Sequence, residues 1–143
     1  MKFPSREWWE AATAAMLRDP AVEAAVEEFG AVSAGLVIVR GGPLRADFCV
    51  LARIEPGRDA RLEYPEDEDE LEEYGPDYIA WAPYALCRAV LEQAFAGEAP
   101  DPLRVILDRK VRLQGDLQRL VRHSGRHRGA GLDALRAVPT EFV

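Results

Sequence analysis

Asparagine is missing from the 143 residues, and cysteine and histidine occur only twice each. The cysteines, Cys49 and Cys87, form no CxxC pair, which removes the usual zinc-ribbon and dithiol motifs. Both lie in apolar surroundings, so they read as buried free thiols kept reduced in a cytoplasm. His123 and His127 have metal-ligand spacing for a helix, but Gly125 separates them. Arg119, Arg122, Arg126 and Arg128 surround them with charge that repels a cation. Long apolar runs are also lacking. The longest uncharged stretches, Gly30 to Val39 and Tyr78 to Cys87, fall well short of the ~20 residues that a membrane-spanning helix needs. The opening "MKFPSREWWE" has no apolar core of a signal peptide. Positive charge is in deficit: a formal net charge of −7 leaves no general attraction to the phosphates of nucleic acid. Catalytic signatures are missing too, with no GxSxG elbow, Walker A loop, GxGxxG after a strand or HExxH helix.

What is present is ordinary for a globular chain: 48% apolar and 30% charged residues. The length fits one domain over residues 1–143, large enough to bury a core without disulfides or metal.

Ser5 is placed to cap a first helix with Trp8, Ala12, Ala15 and Met16 along one face. Asp19-Pro20 starts a second, because Asp caps well and Pro suits the first helical position. Its apolar positions, Val22, Ala25, Val26 and Phe29, recur at i, i+3, i+4, i+7 before Gly30. Val32 to Val39 is almost continuously apolar, as in a strand covered on both faces. Leu44 to Ile54 alternates, with Phe48, Val50, Ala52 and Ile54 on one side. Ala60, Leu62 and Tyr64 continue the pattern, and matching faces requires Ala52 to pair with Leu62. Tyr78 to Ala82 reads as a short strand running into a helix striped by Tyr84, Cys87, Leu91 and Phe95. Asp101-Pro102 repeats the cap-plus-proline start for a helix carrying Leu103, Ile106 and Leu107. Lys110 to Gln114 alternates as a strand. Gly115 then turns the chain and Asp116 caps the helix with Leu117, Leu120 and Val121. A last short helix, Leu132 to Val138, precedes "PTEFV". This order belongs to the α+β class, a mostly antiparallel sheet with helices packed on it.

Seven acids between Glu66 and Glu73 lack EF-hand spacing and read as a solvated, mobile loop that binds no calcium. The arginines around His123 read as a basic surface, with an anion such as a phosphate or lipid head group as the sharper alternative. Alanine-rich helix faces opposite a large apolar sheet face leave volume those side chains do not fill. Trp8, Trp9 and Trp81 suit a core or a cavity wall.

Three stretches carry a resemblance: "PSREWWEAATAAMLRDPAVEAAVEEF", "YIAWAPYALCRAVLEQ…DPLRVILDRKVRLQGDLQRL" and "LRAVPTEFV". In order and spacing the chain resembles the sterol carrier protein-2 (SCP2-like) lipid-binding domains, particularly short stand-alone prokaryotic members. It departs from them at Arg109, where the family usually has Gly before Lys, and in the glycine-rich "SGRHRGAG". The resemblance implies a five-stranded sheet covered on one face by helices, with an apolar tunnel between. It also implies non-catalytic binding of a hydrophobic lipid (sterol, fatty acid or fatty acyl-CoA), with no cofactor, no metal and at most transient contact with a membrane surface.

Strand parity and helix stripes nominate the ligand-binding residues. Phe48, Val50 and Leu62 form the floor; Trp81, Leu86, Val90, Leu113, Leu117 and Phe142 form the walls. The competing reading is a protein–protein interaction or accessory module with a fully packed core. A hydrolase is the third. It needs a nucleophile beside a base, and Ser33, Ser124, Cys49 and Cys87 offer only Ser124 next to His123.

Overall fold

A computed structural model describes residues 1–101, 104, 105, 108, 110–123 and 129–143. Several of its helices begin where short polar side chains hold the unpaired N–H groups of a first turn. Ser5 accepts from Trp8 N at 3.1 Å and opens α1 (Arg6–Leu17). Asp19 accepts from Ala21 N at 2.8 Å and opens α2 (Pro20–Phe29). Asp116 accepts from Arg119 N at 3.1 Å at the head of α5 (Leu117–His123), the cap expected there. Gly115 before it has φ +138°, and a Cβ would lie 2.4 Å from the Tyr78 ring and 2.6 Å from Asp77 O. Only glycine fits that corner.

The acidic stretch corrects one expectation. It is not a loop but a helix, α3 (Glu68–Glu73). Asp67 caps it at 2.8 Å, acids in its first turn suit the helix's positive end, and Leu71 anchors it by burying completely.

Five strands form the main sheet: β2 (Val32–Val39), β3 (Phe48–Ile54), β4 (Arg61–Glu63), β5 (Tyr78–Pro83) and β6 (Arg112–Gln114), in the order β4-β3-β2-β5-β6. Three of the pairings are antiparallel. The central pair β2–β5 runs parallel, so the sheet is mixed. Two short strands outside it, β1 (Lys2–Phe3) and β7 (Glu141–Phe142), pair in parallel near the chain ends. The remaining helices among the described residues are α4 (Tyr84–Phe95) and α6 (Leu132–Arg136). The expected helix positions Leu103, Ile106 and Leu107, together with Arg109 and the 124–128 loop, lie outside the described residues.

Register divides the side chains between two faces. Ala52 pairs with Leu62, as the alternation requires. Leu36 stands beside Val50 and Ala80, and Ala80 beside Leu113. On this even-numbered face a cluster of Phe3, Trp8, Ala12, Ile38, Tyr84, Leu91 and Val138 joins α1, α4 and the chain ends to the sheet. The odd-numbered face holds a second cluster: Val37, Cys49, Leu51, Ile79 and Trp81, closed by Leu71 of α3. A Cβ on Gly35 would sit 2.7 Å from Leu71 Cδ1, so the glycine lets α3 settle onto the strands.

Candidate functional site

The apolar stripe of α2 (Val22, Ala25, Val26, Phe29) faces a space as well as a core. It bounds a cavity of about 300 Å³ with Met16 of α1 and with Val32 and Ile54, which pair across β2 and β3. Gly30, His123 and Ala130 complete the described lining. The fold brings Gly131 in close: its backbone has φ +79°, and a Cβ there would press on Val22 at 2.8 Å. Beyond Val32 and Ile54 the even-numbered floor continues as Ala34 and Ala52, then Leu36 and Ala80, all only half-buried although they lie mid-strand.

Among the described residues, His123 is the one ionisable side chain lining the cavity. Its ring meets Phe29 edge-on at 5.1 Å, and Nδ1 lies 3.7 Å from Glu28 Oε1. Nδ1 is buried and makes no hydrogen bond to the described residues. Arg119, expected in a basic surface patch, turns inward instead. It donates to Phe29 O at 2.6 Å and covers the Phe29 ring at 4.2 Å, which satisfies a carbonyl at the end of α2. Two more polar grooves follow, the first adjoining the cavity and the second adjoining the first. One, of about 230 Å³, shares Val26 and is edged by Glu23, Glu55, Arg58 and Asp59. The next, of about 330 Å³, includes Glu10, Arg18 and Leu62.

The residues nominated from the sequence scatter. Phe48, Val50, Leu62 and Leu113 share the helix-covered face, and Phe48 also packs against Tyr64 at 6.1 Å. Trp81 stands on the opposite face. Register places it beside Val37, its Nε1 donates to Glu68 Oε2 at 3.0 Å, and Arg112 covers its ring at 4.2 Å. It cannot wall the same space as Phe48 and Val50, and that expectation is corrected. Leu86 and Val90 lie on α4 beside its buried Tyr84, Leu91 and Ala94. Leu117 is 44% exposed and borders a shallow groove with Val121. Phe142 packs in an aromatic group with Phe3 at 6.0 Å and Phe95 at 6.3 Å. None of these residues lines the 300 Å³ cavity. The α2 stripe and His123 do, and the helical spacing from Val22 to Phe29 was the signal that could have found them.

Nucleophilic chemistry finds little support among the described residues. Burial, with smaller contributions from Asp47 and the α3 acids, pushes the Cys49 thiol up to about 11; burial does the same to Cys87. Both stay protonated at neutral pH. Ser33 exchanges hydrogen bonds with Asp77, donating to Oδ2 at 3.2 Å and accepting from N at 2.9 Å. Ser124 lies outside the described residues. No described group of three or more His, Cys, Asp or Glu is placed to hold a metal ion.

A mixed five-stranded sheet whose even-numbered face is roofed by helices, in this strand order, is the sterol carrier protein 2 fold. The crystal structure of sterol carrier protein 2 superimposes with a TM-score of 0.66 at 18% identity, over 94% of this chain and 98% of that one. The solution structure of a conserved hypothetical protein from Thermus thermophilus, for which sterol carrier protein is the suggested identity, gives 0.66 at 17%. That match covers 96% of this chain and 90% of the other. Neither a protein-family model nor a curated protein sequence matches the chain. The likeness is one of fold. None of the described helices is long and apolar enough to cross a membrane.

Proposed function

We propose that the protein binds and carries a hydrophobic lipid (a sterol, fatty acid or fatty acyl-CoA) without catalysis, in the space between the even-numbered sheet face and the helices. The observation that carries this reading is the 300 Å³ cavity lined almost wholly by apolar side chains between α2 and the sheet residues Val32 and Ile54. Its volume lies at the lower end of the ~300–1,000 Å³ usual for ligand pockets. Enclosing ten methylenes is worth on the order of 8 kcal/mol gross, at ~0.8 kcal/mol each. Association and chain ordering take several kcal/mol back, so an affinity near micromolar, about 8 kcal/mol net, requires a longer chain mostly enclosed together with a head-group contact. Burial that keeps both thiols protonated at neutral pH fits a carrier that uses neither cysteine as a nucleophile.

Displacement of a fluorescent fatty acid tests the reading. The wild-type protein should release the probe to a fatty acid, an acyl-CoA or a sterol at micromolar concentrations. Val26→Trp, which fills the cavity from α2, should weaken this at least tenfold while circular dichroism stays native. Failure of every such lipid to displace the probe would leave an interaction module as the better account.

A further inference from the structure

From the outer face of α5 we infer that the protein docks transiently on a bilayer carrying anionic head groups. Leu117 and Val121 dip between the lipids, and Arg122 meets the head groups beside them. The inference goes beyond the lipid-binding reading and stands on a different surface from the cavity. The inner face of α5 is occupied by Phe29: Arg119 donates to that residue's carbonyl and covers its ring, and His123 meets the ring edge-on. The outer face shows Leu117 at 44% exposure and Val121 at 45%, with Gln118 and Arg122 alongside. Leu117 and Val121 are four residues apart, so they stand one turn from each other on one side of the helix. Among the described residues only one other large hydrophobic side chain is exposed, Tyr74, and Arg53 covers its ring at 5.9 Å. A single exposed leucine is ordinary on a surface. A pair one turn apart beside a cation is what shallow insertion into a bilayer uses.

The charge around this face selects the occupant. Residues 110–123 hold four cations, Lys110, Arg112, Arg119 and Arg122, against one acid, Asp116, for a net +3. The whole chain carries −7, which leaves −10 on the remaining residues. Lys110, Arg112 and Arg122 are exposed. An anionic surface therefore attracts this segment and repels the rest, which gives the protein one preferred orientation. A specific protein partner needs roughly 20–30 residues a side, far more than two aliphatic side chains and their neighbours supply. A bilayer needs no matching shape. It takes aliphatic side chains in below its head groups, and its phosphates meet the cations. Because α5 presents His123 to the cavity from its inner side, a docked bilayer lies one helix diameter, ~10 Å, from the ligand space.

Co-sedimentation with vesicles tests the dock, using phosphatidylcholine alone and phosphatidylcholine mixed equally with phosphatidylglycerol. Wild type should pellet with the mixed vesicles and stay in solution with the neutral ones. Salt at ~0.5 M should release it, because screening then cuts the reach of each charge to a few ångströms. Leu117→Gln combined with Val121→Gln should weaken pelleting at least tenfold, and Arg122→Gln about fivefold. Val121→Trp should strengthen it at least threefold, since an indole ring favours the membrane interface. All these variants should still release the fluorescent fatty acid in solution, as none of the three side chains lines the cavity. Circular dichroism accompanies each, and Arg122→Gln with Val121→Trp decides the matter if the double variant is misfolded. Three results overturn the dock and leave lipid binding standing: no pelleting with either vesicle, equal pelleting with both, or pelleting unchanged in the folded Gln variants. If wild type pellets as expected yet no lipid displaces the fluorescent fatty acid, the dock stands and the lipid-binding reading falls.

Discussion

The two faces of the sheet are built from neighbouring residues and packed to opposite ends. On the odd-numbered face Val37, Cys49, Leu51, Ile79 and Trp81 are sealed by one buried leucine of a short acidic helix. On the even-numbered face a larger helical layer leaves Ala34, Leu36, Ala52 and Ala80 half-buried and a cavity beside them. The face under the larger helical layer is thus not the more completely buried one. Gly35 permits the close approach of Leu71 because it presents no side chain, whereas the alanines of the other face are left half-buried.

The largest effect should come from breaking the sealed face. Leu71→Ala removes the side chain that closes it and should cost ~2–5 kcal/mol in denaturant unfolding. Adjacent positions on β2 then make a matched pair. Gly35→Ala drives a methyl group into Leu71 and should cost ~1–3 kcal/mol. Ala34→Leu points the other way, so it should change stability by less than ~1 kcal/mol while weakening lipid displacement at least tenfold.

The thiols sharpen the contrast less strongly. With a pKa of about 11 only ~0.1% of each is thiolate at pH 8, so alkylation followed by mass spectrometry should run at least ~100-fold slower in native than in unfolded protein. The same shift has a sign in stability. Below the ordinary thiol pKa of 9.0 both states are protonated, and above it the unfolded chain loses its protons first. The folded state should therefore gain no penalty below pH 9 and lose none of its protons until about 11, so unfolding becomes easier as pH rises between them. Urea midpoints across that range will register the decline.

Much of the sheet was legible because alternation carries its own register. Phe48, Val50 and Leu62 fall on one face, and Ala52 meets Leu62, as the spacing requires. The caps at Ser5, Asp19 and Asp116 were equally open to reading, since each is a local event. Trp81 was not. Its strand, "YIAWAP", is apolar at both parities because both faces are covered, and alternation has nothing to report. The acidic helix escaped because a single leucine among seven acids gives no helical period. The cavity escaped for another reason. A stripe from Val22 to Phe29 looks the same whether it faces packed side chains or space, and only the opposing residues decide between them.

The parallel pairing at the middle of the sheet also bears on how the molecule assembles. Ile38 meets Phe48 across a short reversal of the chain, but Ser33 reaches Asp77 only across 44 residues. Closing the longer loop costs more chain entropy before any contact repays it, so the local hairpin of β2 and β3 forms ahead of the docking of β5. Pulse-labelled hydrogen exchange during refolding should protect amides of β3 before those of β5. Because Ile79 and Trp81 arrive with β5, the face sealed by Leu71 is completed only after the hairpin has formed.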